Sequence, residues 1–526
     1  MNISETIIIK LASKKDVRPP VLASLKRALS KKLALPCPPN SALLQAYHKL
    51  VEQGKIKQNQ DLERLLRTRK VRSLSGVVSV SVLTKPYPCP GKCLYCPTQK
   101  GLPKSYLEGE PAVMRAMANK FNPYLQVQSR LKALQATGHT VSKIELIIIG
   151  GTWSAIPEKY QEWFIKECFR AANNGALKSR SLEQEQKRNE KAKHRIIGIT
   201  IETRPDFINE EEVRRLRGLG VTRVELGVQN LDDNILEKNI RGHRVSETIR
   251  ATRLLKDAGF KVCYHMMPNL LGSDFKKDEE MFAQLFENQS FQPDFLKIYP
   301  CVVLKEAPLY QVWLKKKYRA YTDRQLINLL KKTKQKIPPY CRIIRIYRDI
   351  PSPKIIAGSK ISNLRQVVAR ELKSEGKRCW CIRCREAKEG VLAKSKLKLF
   401  RQDYTASGGK EIFLSFEDKN RQRLYSLLRL RIPSKGAPIL FSALKNAALI
   451  REVHTYGETL DFGEKQKNSP QHRRLGKELI KKAEEIAVKE FGFSKIAVIA
   501  GVGTRNYYRR LGYRLQNTYL VKRLSS

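Results

Sequence analysis

The stretch KPYPCPGKCLYCPTQKG, residues 85–101, sets Cys89, Cys93 and Cys96 on one short loop with three and then two residues between them. A structural zinc site closes a tetrahedron with four protein ligands. Three thiolates on one loop suit different chemistry, since they can hold three irons of a 4Fe-4S cluster and leave the fourth iron open to another ligand. A zinc knuckle with a remote fourth ligand and a four-cysteine electron-transfer cluster are the competing readings. A second group, Cys379, Cys381 and Cys384 in CWCIRCRE, is too irregular for a repeat of that loop. We read it as a zinc site with a remote fourth ligand, Cys341 being the nearest spare thiol; free thiols or a transient redox pair are the alternatives.

Other residues stand where chemistry needs them. The run QHRRLGKELIKKAEE puts a turn before a helix, where unpaired N–H groups and the helix dipole can hold a pyrophosphate. Gly150 and Gly151 end an apolar strand, and Glu202, Glu225, Gln229 and Lys297 place polar groups on apolar strands. His243 and His454 read equally as general bases or as structural histidines.

These residues need a scaffold, and the pattern around them supplies one. From Gly76 onward, apolar runs such as VVSVSVLT, IELIIIGG, IIGITIE and VELGVQ alternate with amphipathic helical stretches. Asn209 can cap a helix that opens with Glu210, Glu211 and Glu212, and Gly218 and Gly220 end it. About six such units with right-handed crossovers predict a partial or full parallel barrel, with its chemistry at the carboxyl ends of the strands. The Cys89 loop directly follows the first strand. Residues 1–75 read as a basic helical region suited to RNA, 76–330 as the barrel and 331–400 as a connector carrying the zinc site. Residues 401–526 read as a separate α/β domain, and 177–195 as a solvated, charged insertion.

The chain has 526 residues, with 101 Lys plus Arg against 50 Asp plus Glu, a formal net charge of +51. Such an excess calls for a polyanionic partner, nucleic acid first. No stretch approaches the roughly 18 apolar residues of a spanning helix, and the opening apolar run is too short for a signal peptide. We therefore expect a cytoplasmic protein without a membrane partner, in which the cysteines serve as ligands or core residues.

The spacing Cys89, Cys93, Cys96, with Tyr95 before the last cysteine, resembles the signature of radical S-adenosylmethionine (SAM) enzymes. The 471–476 loop resembles the acyl-CoA loop of GNAT acetyltransferases: Gln471 and Gly476 match, and Arg474 stands at the first glycine. Together with EPAVMRAMANKFNPY, GGTWSAIPEKY, IETRPD, HMMPNL, YRDIPSP, REVHTYG and GVGTRNYYRRLGY in order, the chain from about Val71 resembles the single-chain form of the Elongator catalytic subunit family. The resemblance implies an α/β fold, a radical-SAM partial (β/α) barrel followed by a GNAT domain. It also implies an activity: forming 5-carboxymethyluridine at the wobble position of tRNA from acetyl-CoA. In that chemistry a deoxyadenosyl radical takes hydrogen from the acetyl methyl, the carbon radical adds to C5 of uridine, and thioester hydrolysis leaves the carboxymethyl group. The cofactors implied are a 4Fe-4S cluster, SAM and acetyl-CoA, with zinc from the second cysteine group; the partners are tRNA and an electron donor, and a homodimer stays open.

The same resemblance assigns residues. Gly150, Gly151, Glu202, Gln229 and Lys297 go to SAM, and Lys143 to acetyl-CoA and catalysis. Glu452, Val453, His454 and Thr455 go to the pantetheine strand, Gln471, Leu475, Gly476 and Lys477 to the pyrophosphate loop, and Tyr508, with Tyr507 beside it, to the thioester end. Two other readings compete: a protein lysine acetyltransferase using the GNAT domain alone, and a tRNA-binding scaffold whose acetyl-CoA site Arg474 has degraded.

Overall fold

The alternation in VVSVSVL becomes the first strand of a seven-stranded parallel sheet. In a computed structural model, which describes residues 2–14, 17–67, 76–175, 181–387, 396–457 and 474–525, the strands are β1 (Val77–Leu83), β2 (Lys143–Ile149), β3 (Arg195–Thr203), β4 (Arg223–Gln229), β5 (Lys261–Met266), β6 (Phe295–Ile298) and β7 (Arg342–Arg345). They lie in chain order, each parallel to the next. This is a partial barrel, with β1 and β7 as its edges. Its seventh strand lies inside the stretch read as connector, because RIIR is too short and too charged to stand out as a strand.

Period-2 alternation decides which side chains face out. Val78, Val80 and Val82 of β1 and Ile144, Leu146 and Ile148 of β2 are at most 1% exposed and pack against the surrounding helices. Their neighbours Val77, Ser79 and Ser81, and Lys143, Glu145, Ile147 and Ile149, line the concave side and keep contact with solvent.

Of the segment read as a solvated insertion, residues 177–180 lie outside the described residues and the part from Ser181 onward is folded. Leu182–Asn189 is a helix with a Ser181/Gln184 capping box. Asn189 donates to Asn173 Oδ1 (2.8 Å) and to the His194 carbonyl (3.0 Å), and accepts from the Ile196 N–H (2.7 Å). Its polar composition concealed the docking, because the buried contacts are made by Glu185, Gln186 and Asn189 themselves.

Before the barrel, helices Ile3–Ala12, Pro19–Lys32, Asn40–Glu52 and Gln60–Leu66 share a core that includes Ile7, Leu11, Leu43, Tyr47 and Leu62. After it comes a second seven-stranded sheet: β8 (Leu397–Ala406), β9 (Gly409–Asp418), β10 (Leu424–Ile432), β11 (Ala448–Thr455), β12 (Lys495–Val498), β13 (Arg514–Gln516) and β14 (Tyr519–Arg523), ordered β8-β9-β10-β11-β12-β14-β13. Among the described residues of this sheet, β11 and β12 alone are parallel, and their pairing stops at Ile450 and Val498. Beyond that point the strands diverge, so Glu452–Thr455 pair with β10 on one edge and open onto a splay on the other.

A buried ionic layer joins the two sheets. Arg451 holds Asp294 through both carboxylate oxygens (2.5 and 2.8 Å) and Glu411 at 3.0 Å. Arg431 bridges Asp257 and Glu411, with Lys256 3.6 Å from Asp294. Gly501 seals the contact: a Cβ there would lie 2.0 Å from the Ile197 carbonyl oxygen. No described helix is long and apolar enough to cross a membrane.

Candidate active site

The Cys89 loop leaves β1 at the carboxyl end of the barrel and turns over its mouth, beside a cavity of about 230 Å³ that Cys89, Cys93 and Cys96 help to line. Gly91 gives the loop its shape. A Cβ at that position would lie 3.4 Å from Cys93 Sγ, 3.7 Å from Cys89 Sγ and 2.9 Å from an Arg204 nitrogen, so a side chain would fill the cradle between the thiols. Arg241 reaches Cys93 Sγ at 3.6 Å while donating to the Gly227 carbonyl. The neighbouring Cys96 thiol and this guanidinium lower the Cys93 pKa against the effect of burial. A thiolate at neutral pH is the state a metal ligand needs.

The spread of the thiols also matters. Among the described residues, Cys379, Cys381 and Cys384 have sulfurs all within 4.8 Å of one another, as one ion would require, whereas the Cys89 loop is not grouped so tightly. An iron-sulfur cluster, with one thiolate per iron, suits the looser set.

Around this mouth stand the predicted SAM residues. Gly150 and Gly151 have φ of +139° and +96°, and a Cβ on Gly150 would meet Thr84 Oγ1 at 2.0 Å, so only glycine fits. Thr152, next in sequence, lies 3.8 Å from Cys89 Sγ. Gln229 has φ +72°, and its buried Oε1 has no partner among the described residues. A buried acceptor of this kind on a cavity wall is free to pair with a ligand or a water. Deeper, Lys297 pairs with Glu225 and stands 3.4 Å from Glu202, which accepts from Tyr106 at 3.0 Å. His265 completes the cluster, 2.8 Å from Glu225. Burial alone would raise the Glu225 pKa, but Lys297 and His265 outweigh it and hold the carboxyl well below the usual range.

A second cavity, about 280 Å³, lies at the opposite end of the barrel, where the β11/β12 splay faces the amino ends of the strands. Glu452, Val453, His454 and Tyr508 line it. Gly476 brings the remaining residues together: its Cβ position lies 3.4 Å from the Tyr507 hydroxyl, 3.5 Å from Thr455 Oγ1 and 3.7 Å from a Val453 methyl. The helix beginning at Leu475 follows Arg474, whose backbone is left-handed (φ +59°). Thus the arginine at the glycine position still adopts a glycine's turn. Gln471 lies outside the described residues. Lys143 starts β2 at this end of the barrel with its pKa lowered by burial and by Arg195, though its inward neighbour Glu145 is the residue that lines the cavity. His454 is half-buried, its Nε2 is covered and has no partner among the described residues, and desolvation lowers its pKa to about 4, so it is neutral at physiological pH. His243, beside Arg241 and Arg204, is lowered further, to about 2, chiefly by burial.

Comparison with known proteins agrees with this geometry. Residues 87–285 match the Radical SAM superfamily and residues 293–374 the Radical_SAM C-terminal domain. The tRNA uridine(34) acetyltransferase of Methanocaldococcus jannaschii is 44% identical over 500 residues, covering 93% of this chain and 90% of its own. Elongator complex protein 3 of Bos taurus is 38% identical over 479 residues, covering 87% and 86%. The solved structure of archaeal Methanocaldococcus infernus Elp3 with an N-terminal deletion superposes with a TM-score of 0.76 at 42% identity, over 86% of this chain and 100% of that one. The chain belongs to the Elongator complex protein 3 family. It is a radical SAM enzyme of α/β fold.

In this Elongator complex protein 3 relative, the second cysteine group is compact: Cys379 and Cys381 are buried and Cys384 is exposed. Lys334 Nζ lies 3.7 Å from Cys384 Sγ. The Cys341 thiol is not part of the group, although its carbonyl accepts from the Ile382 N–H.

The arginines left little trace in the sequence. Arg241 and Arg204 sit beside the cysteine loop, and Arg223 on β4 pairs with Glu145 on β2 at 2.6 Å. For Arg223 the available signal was a charge two residues from Glu225 on the otherwise apolar strand in TRVELGV.

Proposed function

We propose that this protein forms 5-carboxymethyluridine at the wobble uridine of tRNA, with SAM as radical source and acetyl-CoA as carbon donor. The observation that carries the reading is the placement of a cysteine-loop cavity and an acyl-CoA-type splay at opposite ends of one barrel, locked together by the Asp294–Arg451–Glu411 layer. The relatives named for tRNA uridine(34) support the substrate, and so does the +51 charge.

Cys89, Cys93 and Cys96 would hold a 4Fe-4S cluster, which with SAM bound and an electron from a donor supplies a 5′-deoxyadenosyl radical. The chain's residues do the rest. Gly150 and Gly151 let the backbone approach SAM, while Glu202, Gln229 and Lys297 offer polar atoms to it. The free edge of Glu452–Thr455 pairs with pantetheine, the N–H groups of Leu475, Gly476 and Lys477 take the pyrophosphate, and Tyr507 and Tyr508 close the thioester end beside Lys143. The barrel covers this end of the C-terminal domain, which leaves a protein lysine little access and disfavours the lysine acetyltransferase reading.

The test is nucleoside mass spectrometry after anaerobic incubation of reconstituted protein with SAM, reductant, acetyl-CoA and tRNA. Carboxymethyluridine dependent on all four is the expected result; SAM cleavage without modified uridine refutes the proposal.

Arg474 offers a charge where relatives of the acyl-CoA loop offer a glycine's closeness. Relief of the left-handed backbone, about 1–2 kcal/mol, is about half offset by glycine's greater chain entropy, about 0.5–1 kcal/mol. Arg474→Gly should therefore raise stability slightly, by about 0.5–1 kcal/mol, but weaken acetyl-CoA binding by roughly fivefold, through loss of a charge-assisted phosphate contact. Calorimetric titration at low and high salt checks this, since the difference should shrink as salt rises.

The Cys379, Cys381, Cys384 group we assign to zinc with one non-cysteine ligand. Elemental analysis should find about one zinc per chain, lost in Cys381→Ser.

A further inference from the structure

The two cavities share a wall. Arg223, the first residue of β4, borders both. Along the concave face the inward residues pass from one cavity to the other within single strands. On β1, Val77 and Ser79 line the splay cavity and Ser81 the cysteine cavity; on β2, Glu145 gives way to Ile147, and on β6, Phe295 to Lys297.

A closed (β/α)8 barrel fills its interior with layers of bulky branched side chains. This one does not. The inward row of β1 is Val, Ser, Ser, with Ser79 exposed, and the inward row of β2 keeps solvent contact along its whole length. Facing them, the Glu145–Arg223 ion pair spans from β2 to β4.

Length makes this arrangement matter. A strand of seven residues such as β1 spans about 20 Å, whereas reacting atoms must approach to about 3–3.5 Å. A hydrogen atom on the acetyl methyl cannot reach the radical while each stays at its own end.

We propose that the barrel lumen is a through passage and that the acetyl-bearing arm of acetyl-CoA enters it from the splay end, passing a waist formed by Ser79, Ser81 and the Glu145–Arg223 pair. The C–H bond of the acetyl methyl breaks inside the lumen, its hydrogen atom passing to the 5′-carbon to give 5′-deoxyadenosine and leaving the unpaired electron on the acetyl carbon. This inference rests on the proposed function and adds the route.

The test blocks the waist and follows the hydrogen. With methyl-deuterated acetyl-CoA, SAM, reductant and tRNA, the wild-type protein should transfer deuterium to 5′-deoxyadenosine. Ser79→Phe should still cleave SAM within about twofold, but deuterium transfer should fall by about 10²-fold, as displacement of a reacting group requires. Wild-type-level transfer in Ser79→Phe overturns the passage while leaving the proposed function standing. SAM cleavage by wild-type protein with no deuterium transfer overturns the proposed function, and the passage with it.

A second measurement needs neither catalysis nor a bulky substitution. In full-length Ser81→Cys, saturating acetyl-CoA should slow alkylation of the introduced thiol by iodoacetamide at least about fivefold, read by peptide mass mapping, because the arm must cross the waist to cover it. An unchanged rate shows that the arm stops short and refutes the proposal.

Discussion

Cys93→Ser should lower 5′-deoxyadenosine formation from SAM by well over the roughly 10–100-fold that loss of an outer-shell partner costs a metal site. Cys93 is 3% exposed and sits between Cys96 and the Arg241 guanidinium. Serine fills nearly the same space and can accept the arginine's hydrogen bond, so the loop keeps its shape and thermal unfolding shifts little. What goes is the thiolate: a hydroxyl does not ionise at neutral pH and is a poor ligand for iron. Arg241→Gln is the useful companion, since it removes the guanidinium beside the sulfur yet leaves all three thiols. Its loss should stay within roughly 10–100-fold. Iron content and deoxyadenosine yield, measured anaerobically on both variants, separate holding the cluster from tuning it. Equal losses in the two variants would contradict this division of roles.

Asp294→Asn should destabilise the whole chain by about 3–5 kcal/mol, the cost of breaking a buried ion pair from one side. The carboxylate is wholly buried, accepts two N–H bonds from Arg451 and one from the Val262 backbone, and lies within 3.6 Å of Lys256 and Arg429. Asparagine keeps the shape and loses the charge, leaving Glu411 to neutralise Arg451 and Lys256 without help and Arg429 with Glu452 alone. Burial would raise the Asp294 pKa, but Arg451, Lys256 and Arg429 outweigh it and hold it far below the usual carboxylate range. A carboxyl depressed in the folded state contributes its stability above its unfolded pKa of about 3.9 and loses it as pH falls toward the folded value. Urea unfolding should therefore show the full deficit between pH 5 and 8 and a shrinking one below about pH 4. A deficit that stays constant into acid would show that packing, and not charge, is responsible.

The barrel was legible because its strands announce themselves twice, by β-branched residues and by period-2 alternation, and the glycine pair at 150–151 punctuates the end of one of them. The cysteine loop was legible because its spacing is local. The Glu145–Arg223 and Glu225–Lys297 pairs were not, since each joins residues that become neighbours only when distant strands line up. β8 escaped for another reason. LKLFRQDYTA places charges where a half-buried edge strand faces water, and its pairing with β9, not its own composition, makes it a strand. The helix Leu182–Asn189 shows the converse: a polar run reads as solvated until partners such as Asn173 and His194 are in place to satisfy it.

The ionic layer between the sheets bears on how this architecture could have arisen. Arg429, Arg431 and Arg451 are each at most 1% exposed, and all three draw on the barrel, through Asp294 and Asp257. A C-terminal domain expressed alone would present these guanidiniums to water beside a bare apolar sheet. It could not be borrowed intact as a free-standing acetyltransferase, nor exchanged for a homologous module that lacks the matching cations. The two halves are constrained to change together, so a charge reversal on one side would persist only with its mirror image on the other.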